Sequence, residues 1–169
     1  MRSQREVQPR PNRKRGSCGF SLIELLIVVA VILVIASIAI PNFIRSKISA
    51  NEGAAIQDLR NITTAEVVYS TTYGIGYSPD LVSMGGSSAI VDQTNAQLVD
   101  SVLAAGSKTG YFFTYTVIGT DALGHVQDYA LNADPQSATT GQRHFYADQT
   151  GVIRENQSVA ATATDLPIQ

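Results

Sequence analysis

The chain has 169 residues, a formal net charge of -2 and a single cysteine, so it has room for one domain of ordinary size plus an appendage. Residues 1–19 carry six basic residues and one acidic residue, 6 - 1 = +5, which leaves 6 - 13 = -7 for the rest of the chain. The acidic character of residues 20–169 argues against nucleic acid as the main partner of the folded domain. Because Cys18 is the one cysteine, an intrachain disulfide and a C-x-x-C metal or redox site are excluded.

An apolar segment, residues 20–40, follows this basic leader. Its polar side chains are those of Ser21, Glu24 and Ser37. A helix of this length measures about 31 Å, which matches the hydrocarbon core of a membrane. Lipid favours a helix because backbone polar groups must be satisfied within the segment. The Lys and Arg residues beside it predict that the leader stays in the cytoplasm.

Three interpretations of the segment differ in the role they give to Glu24. A cleaved secretory signal would use residues 37–39 as a small-x-small cleavage site, although its apolar region is longer than the usual 7 to 15 or so residues. An uncleaved signal anchor would let Glu24 snorkel from the helix end. The third interpretation is functional, since a charge in a bilayer is costly and calls for a partner. Cleavage after Gly19 would create a cationic amine on Phe20, and pairing with a neighbouring chain's amine would make Glu24 set the register of a helix bundle.

The combination of Gly19, Phe20, Glu24 and Pro41 around this segment closely resembles the signal and N-terminal helix of type IV pilins and type II secretion pseudopilins. The resemblance is strongest over residues 16–73. It implies that a prepilin peptidase cuts between Gly19 and Phe20 and methylates the new amine of Phe20. It further implies that Glu24 neutralises the amine of a neighbouring subunit, and that the helix holds the subunit in the bacterial inner membrane until it is packed into a filament.

The sequence beyond the apolar segment predicts that the helix continues. Pro41 is expected to kink or locally open the helix without ending it. An apolar stripe then recurs at steps of 3, 4 or 7, and most charged side chains fall off it. This spacing predicts one helix over residues 20–72, about 80 Å long, whose second half is one wall of a soluble domain. The stripe consists of Ile44, Ile48, Ala55, Leu59, Ile62, Tyr69 and Tyr73, and the polar residues off it are Arg45, Lys47, Glu52, Asp58, Arg60 and Asn61.

The remainder predicts a loop, a short helix and a small sheet. Residues 73–88 are rich in Gly, Pro and Ser, which is typical of a loop. Residues 94–105 predict a short helix with Thr94 or Asn95 as its N-cap and Gly106 as its stop. Four β-branched and aromatic runs predict an antiparallel sheet of three or four strands, and the tail after them predicts an irregular strap. The predicted strands cover residues 111–119, 127–133, 143–147 and 151–155.

These elements give an α+β fold in which a long N-terminal helix, membrane-spanning in its first half, packs on a small antiparallel sheet. The pilin resemblance implies the same plan. The predicted boundaries are residues 1–19 for the leader that the peptidase removes, 20–41 for the transmembrane and filament-core helix, and 42–169 for the soluble head.

Patterns for catalysis are missing from the sequence. His125 and His144 have no cysteine or second histidine near them, and no nucleophile or phosphate-binding motif is present, so we expect structural histidines and no enzyme activity. We also expect no cofactor. Residues 132–141 are a weak calcium candidate through Asn132 and Asp134, against the simpler interpretation of an Asx-rich turn. The resemblance adds that some pseudopilins have a calcium site in a C-terminal loop.

The sequence therefore predicts a structural subunit that polymerises through its N-terminal helix. The resemblance implies a major or minor type IV pilin in a surface filament for motility, adhesion or uptake, with a prepilin peptidase and the assembly machinery as partners. A pseudopilin in a periplasmic pseudopilus is the alternative within the family. An alternative of another class is a membrane-tethered sensor or binding domain on an uncleaved anchor. Nucleic acid as a partner is left open.

Overall fold

A computed structural model describes residues 20–86 and 90–168. The predicted leader, with Cys18 and Gly19, therefore lies outside the described residues. The described part of the chain forms one long helix, two single-turn helices and six strands. These are α1 (Leu22–Tyr73), α2 (Leu81–Met84), α3 (Ser101–Ala104), β1 (Ser107–Lys108), β2 (Tyr111–Thr120), β3 (Val126–Pro135), β4 (His144–Asp148), β5 (Arg154–Asn156) and β6 (Leu166–Pro167).

The long helix predicted over residues 20–72 is confirmed as α1, which passes Pro41 without a break. The chain divides into two compact units, Met1–Ile40 and Pro41–Gln169. In the first unit, residues 22–40 are helical and none of the described residues is buried. By length and composition this part of α1 can cross a membrane. Among residues 20–40, no other side chains of the unit cover this apolar surface.

The second unit, which we call the head, packs residues 41–73 of α1 against an antiparallel sheet. Its six strands lie in the order in which they occur in the sequence, and each pairs with the next. From Ala55 onward the apolar stripe of α1 faces the sheet, because its side chains recur at the helical period, whereas Ile44 at the start of the predicted stripe is exposed. Leu59, Ile62 and Tyr69 are buried there with Tyr111 and Phe145 of the sheet. The α+β fold class is therefore confirmed.

The short helix predicted over residues 94–105 is mostly wrong. Only Ser101–Ala104 is helical, and its N-cap is Asp100, whose carboxylate accepts the N–H of Leu103 at 3.0 Å. The preceding backbone is held elsewhere, because Ala96 donates to the carbonyl of Ser83 and Leu98 to that of Met84. These long-range bonds replace the helical ones that Thr94 or Asn95 would have capped. The predicted stop at Gly106 does follow the helix, at φ +77°.

The sheet has six strands where three or four were predicted. The strand predicted over residues 151–155 begins only at Arg154, because Gly151 takes φ +75° in the turn after β4. The strands that were not predicted, β1 and β6, have two residues each, which is too short to show the alternation of a strand. The tail is accordingly a strand in part, not only an irregular strap. The predicted loop over residues 73–88 likewise contains α2, which Asp80 caps by accepting the N–H of Ser83.

Candidate functional site

The start of α1 brings Ser21 and Glu24 together. The backbone N–H of Ser21 donates to Oε2 of Glu24 at 2.9 Å, while the carbonyl of Ser21 accepts the N–H groups of Glu24 and Leu25. This is the reach-back bond of a capping box, in which a glutamate at the third helical position satisfies the N-cap. Sequence reasoning missed this role of Glu24, although the S-x-x-E signal before an apolar run was present in residues 21–24.

Phe20 lies immediately before this cap and is 77% exposed. Its partner across the predicted scissile bond, Gly19, is outside the described residues, so cleavage and methylation there stay predictions. Glu24 accepts one N–H in this structure, and a carboxylate has acceptor sites for several donors. The Glu24 carboxylate therefore retains capacity for a cation as well as for the cap.

The apolar side chains of residues 20–40 form one exposed surface around the helix. All large hydrophobic residues of the segment are exposed, with values from 47% to 80%. The polar Ser37 is satisfied within the helix, since its hydroxyl donates to the carbonyl of Val34 at 2.7 Å. Pro41, the predicted kink, lies inside α1 and has no N–H for the carbonyl of Ser37 one turn earlier. The helix is thus continuous but has a missing hydrogen bond at this point.

An ion network holds the base of the head, which we define as the end where residues 41–52 of α1 lie. Arg143 donates from Nε to Glu52 at 2.8 Å and from Nη1 to Glu155 at 2.6 Å. Burial lowers the pKa of Arg143, but the two carboxylates outweigh it and the pKa is raised. Glu52 was predicted to fall off the apolar stripe, yet it is 6% exposed because the guanidinium compensates its charge.

A second ion pair reaches α1 from the sheet. Lys108 donates to Asp58 at 2.8 Å and to Asp100 at 2.9 Å. Hydrogen bonds to Asp58 and Asp100 raise the pKa of Lys108 against the lowering effect of burial. Asp58, also predicted off the stripe, is 5% exposed for the same reason as Glu52. Both cases show charged residues of α1 that fold inward because a basic residue far along the chain meets them.

Glu66 is fully buried in the head. Its carboxylate accepts the N–H of Ser78 at 2.8 Å and the hydroxyl of Ser78 at 2.6 Å. Tyr115 stacks on Tyr129 nearby and donates to the carbonyl of Ser78 at 2.8 Å. Burial raises the pKa of Glu66, and the bonds from Ser78 lower it only in part. This carboxyl group fixes the segment that follows α1, and no sequence pattern singled it out.

The weak calcium candidates are engaged with protein groups. Asp134 lies 2.6 Å from Nδ1 of His144, and the side-chain amide of Asn132 donates to the carbonyl of Ala161 at 2.8 Å. No cluster of three or more His, Cys, Asp or Glu suited to a metal ion occurs within residues 20–86 and 90–168. His125 similarly contacts Asp121 at 3.0 Å in the loop between β2 and β3. Each histidine thus has one carboxylate partner, which is the arrangement of a structural pair.

An open groove of about 950 Å³ runs along α1 at the base of the head. One wall comes from α1 and the other from the loop between β3 and β4. Its lining is mixed in polarity and includes Arg45, Ser49, Ser137, Gln142 and His144. The groove lies next to the Arg143 network, and the Arg45 side chain lines it.

The comparisons with known proteins concern the N-terminal segment. A family model described as the prokaryotic N-terminal methylation motif matches residues 14–40. Among curated proteins, the chain is similar to the type IV major pilin protein PilA of Myxococcus xanthus (strain DK1622), with 48% identity over 48 residues. This match covers 28% of the chain and 22% of the relative. The chain thus aligns with about a fifth of that pilin's length.

The methylation motif, the similarity to a pilin, and the apolar helix that continues into an α+β head all agree with the resemblance drawn from residues 16–73. The N-terminal segment of the chain thus carries a prokaryotic N-terminal methylation motif and is similar to the same region of a type IV major pilin.

Proposed function

We propose that this protein belongs to the type IV pilin family and is the subunit of a helical filament that polymerises through residues 20–40 of α1. The exposed apolar surface of that segment is the observation that supports this most directly. Such a surface is stable in lipid or against other apolar helices, and not in water. Burial of this area against copies of itself, at about 25 cal/mol per Å² relative to water, would hold the filament together outside the membrane. Members of the family are structural subunits, and we propose no catalytic role or cofactor.

The methylation motif supports a processed N-terminus. We infer that a prepilin peptidase cuts between Gly19 and Phe20 and that the new amine of Phe20 receives a methyl group. Processing would remove the basic leader, which otherwise fixes residues 1–19 in the cytoplasm. The subunit would then leave the bacterial inner membrane through the assembly machinery and enter an extracellular pilus.

Glu24 would set the stagger between neighbouring subunits. Before assembly its carboxylate caps α1 through the Ser21 N–H. The amine on Phe20 of a neighbouring copy is a cation, and a charge-assisted bond to it is roughly twice as strong as a neutral one. A stagger that leaves Glu24 without this cation would bury an unpaired charge, so it would be disfavoured. In this way the apolar area supplies affinity and Glu24 supplies register.

The N-terminus and intact mass of the protein from its own cell envelope test the proposal. We expect a start at Phe20 with one added methyl group, together with filaments that contain the protein. A Gly19→Arg variant, which blocks the small-residue position before the cut, should keep its leader and form none. A wild-type start at Met1 would favour the tethered module, and a start at Ile40 a secreted domain, and either would overturn the filament proposal. If the protein forms short periplasmic assemblies and no surface filaments, it is a pseudopilin and not a pilin.

A further inference from the structure

The charges of the head are divided between its two ends. Arg45 and Lys47 lie on α1 at the base, where both are exposed. Within the part of the chain that the structure describes, neither forms an ion pair or a side-chain hydrogen bond. Lys108 and Arg143, by contrast, each pair with two carboxylates of the head. The base therefore has cations whose charge the head does not compensate.

The opposite end, where α1 finishes at Tyr73, is acidic. The sequence has no Lys or Arg between residues 61 and 107 or between 109 and 142. The segments that meet at this end carry the exposed carboxylates of Asp80, Asp92 and Asp121. Tyr73 places one of these segments by donating its hydroxyl to the carbonyl of Asp92 at 3.0 Å. We call this surface the distal end.

The distal carboxylates are bound almost entirely by neutral donors. Asp80 accepts the N–H of Ser83, and Asp92 accepts the N–H and the hydroxyl of Thr94. Asp121 holds the β2–β3 loop and has His125 as its one titratable neighbour. No Lys or Arg in the described segments pairs with these carboxylates. Base and distal end are thus complementary in sign but lie at opposite ends of about 42 Å of helix between residues 45 and 73.

The shapes of the two ends match this complementarity. The groove beside Arg45 is open and its lining is mixed, with Ile48 and Ala138 beside Ser49 and Gln142. The β2–β3 loop ends in a tip where Leu123 is 81% exposed. A tip of this kind fits a groove better than it fits a flat surface. One chain cannot bring its own ends together, because α1 is continuous between them.

We propose that the distal end of one head docks on the base of a second copy of this chain, with the acidic tip around Asp121 facing Arg45 and Lys47. The contact is heterologous, because one surface meets a different surface, and such contacts repeat without closing into a dimer. Complementary charges at its rim fix orientation and disfavour other staggers. Anionic lipid would satisfy Arg45 and Lys47 but would give the acidic distal end no partner. The proposal deepens the filament function above and rests on it.

Charge reversal with rescue tests the contact in the full-length protein in its own cells. The base variant is Arg45→Glu with Lys47→Glu, and the distal variant is Asp92→Asn with Asp121→Asn and Leu123→Lys. The asparagines keep an acceptor oxygen for the loop bonds, and Leu123 is exposed. Each variant alone should lower filament yield by about tenfold or more, because like charges then face each other. A chain that carries both variants restores opposite signs and should regain most of the yield. Arg60 is a cation of α1 outside the base that forms no ion pair with any residue the structure describes, so Arg60→Glu is the matched control and should leave yield near wild type.

A disulfide test reports on the same contact without altering its charges. Residues 20–169 contain no cysteine, so Ser49→Cys with Ala122→Cys introduces one thiol at each end of an otherwise cysteine-free mature chain. Oxidised filaments of this double variant should yield a ladder of covalent multimers, whereas either single variant should yield dimers at most.

The outcomes separate the contact from the filament function. Wild-type filaments together with rescue by the combined charge variant support the contact. Wild-type filaments with reversal variants that assemble normally, or with no rescue and no ladder, overturn the contact and leave the filament function standing. Unprocessed wild-type protein without filaments overturns the filament function first. If the base variant fails to insert into the membrane and the distal changes do not rescue insertion, Arg45 and Lys47 bind lipid. That result also overturns the contact.

Discussion

Glu52 and Arg143 form an ion pair across the base of the head, with 2.8 Å between Oε2 and Nε, although they are 91 positions apart in the sequence. The same Glu52 carboxylate also accepts the backbone N–H groups of Gln142 and Arg143 through Oε1. One side chain of α1 therefore anchors the loop that leads into β4. The pair links the helix to the sheet at the end where the chain enters the head.

Loss of the guanidinium should destabilise the head strongly. Arg143→Met would leave the nearly buried Glu52 without its cation, which should cost about 1 to 3 kcal/mol, because Arg143 is one-third exposed and solvent screens part of the interaction. Urea unfolding of the full-length chain in detergent micelles measures this difference. Arg60→Met removes an exposed arginine of the same helix that forms no ion pair within the described residues, and it should change the free energy of unfolding by less than about 0.5 kcal/mol. Equal effects of the two substitutions would show that the ion pair does not anchor the loop.

Glu66 should make stability depend on pH in the direction opposite to a salt-bridged carboxylate. Burial raises its pKa in the folded state above the ordinary value of 4.5, so the folded chain holds this proton more tightly than the unfolded chain. Stability from this group is fully present below about pH 4.5, and it declines as pH rises from there through the raised pKa. Glu66→Gln has no such titration. The free energy of unfolding of this variant should therefore gain on wild type as pH increases over that range.

The measured quantity is the difference in the free energy of unfolding between wild type and Glu66→Gln, so the contributions of the other carboxyl groups largely cancel. Ser78→Ala removes the hydroxyl that lowers the pKa of Glu66, and it should move the titration to higher pH. A constant difference between wild type and Glu66→Gln across the range would mean that Glu66 keeps an ordinary pKa when folded.

Two substitutions of Glu24 distinguish its charge from its capping role. Glu24→Gln keeps an acceptor for the Ser21 N–H but removes the charge, and Glu24→Ala removes both. We expect membrane insertion and an intact head in both variants, with assembly reduced in both, because only the carboxylate pairs with an amine. Filament yield and membrane fractionation measure these outcomes. Wild-type assembly of Glu24→Gln would reduce the residue to a helix cap.

Pro41 should ease bending of α1 during extraction from the bilayer. Pro41→Ala restores the N–H that the carbonyl of Ser37 lacks, so the helix becomes stiffer at this point. We expect lower filament yield and stiffer filaments, measured by counting and by bending analysis in electron micrographs. Ser46→Ala, an exposed neighbour whose side chain has no role in the backbone bonds, is the control. Unchanged yield and stiffness in Pro41→Ala would refute this role.

Calcium should leave the stability of the protein unchanged. Asp134 is paired with His144, so an ion would have to compete with the imidazole for this carboxylate, and the Asn132 side chain is held by its bond to the carbonyl of Ala161. Ca²⁺ needs six to eight or so oxygen ligands, more than this pair supplies. Thermal unfolding with and without millimolar calcium measures the effect. A rise in the midpoint that Asp134→Ala abolishes would establish the site.

Helical periodicity predicted α1 and its buried side chains well, because Leu59, Ile62 and Tyr69 recur at a local spacing. Strand-forming runs predicted the four longer strands for the same local reason. Periodicity does not, however, indicate which distant side chain will form an ion pair with a residue. Glu52 and Asp58 look solvent-facing until Arg143 and Lys108 are brought to them, and those contacts depend on the completed sheet.

The misassigned regions are held by distant backbone groups. The segment before α3 donates its N–H groups to the carbonyls of Ser83 and Met84, which no local pattern in residues 94–100 encodes. The methylation motif, in contrast, is a local pattern, so it could be predicted from residues 14–40 without the structure, while the roles of Gly19, Phe20 and Glu24 stay predictions. Its capping bond was readable from the same residues and needed only the S-x-x-E pattern.

The strand order of the head, which follows the chain from β1 to β6, has a consequence for biogenesis. Each strand pairs with the one made just before it, so no strand has to insert between two that are already in place. A chain that is translocated from α1 onward can therefore complete its sheet progressively, and every intermediate exposes one growing edge. The two-residue strand β6 is the last to arrive, and it closes the sheet with a short edge that offers little backbone to another chain.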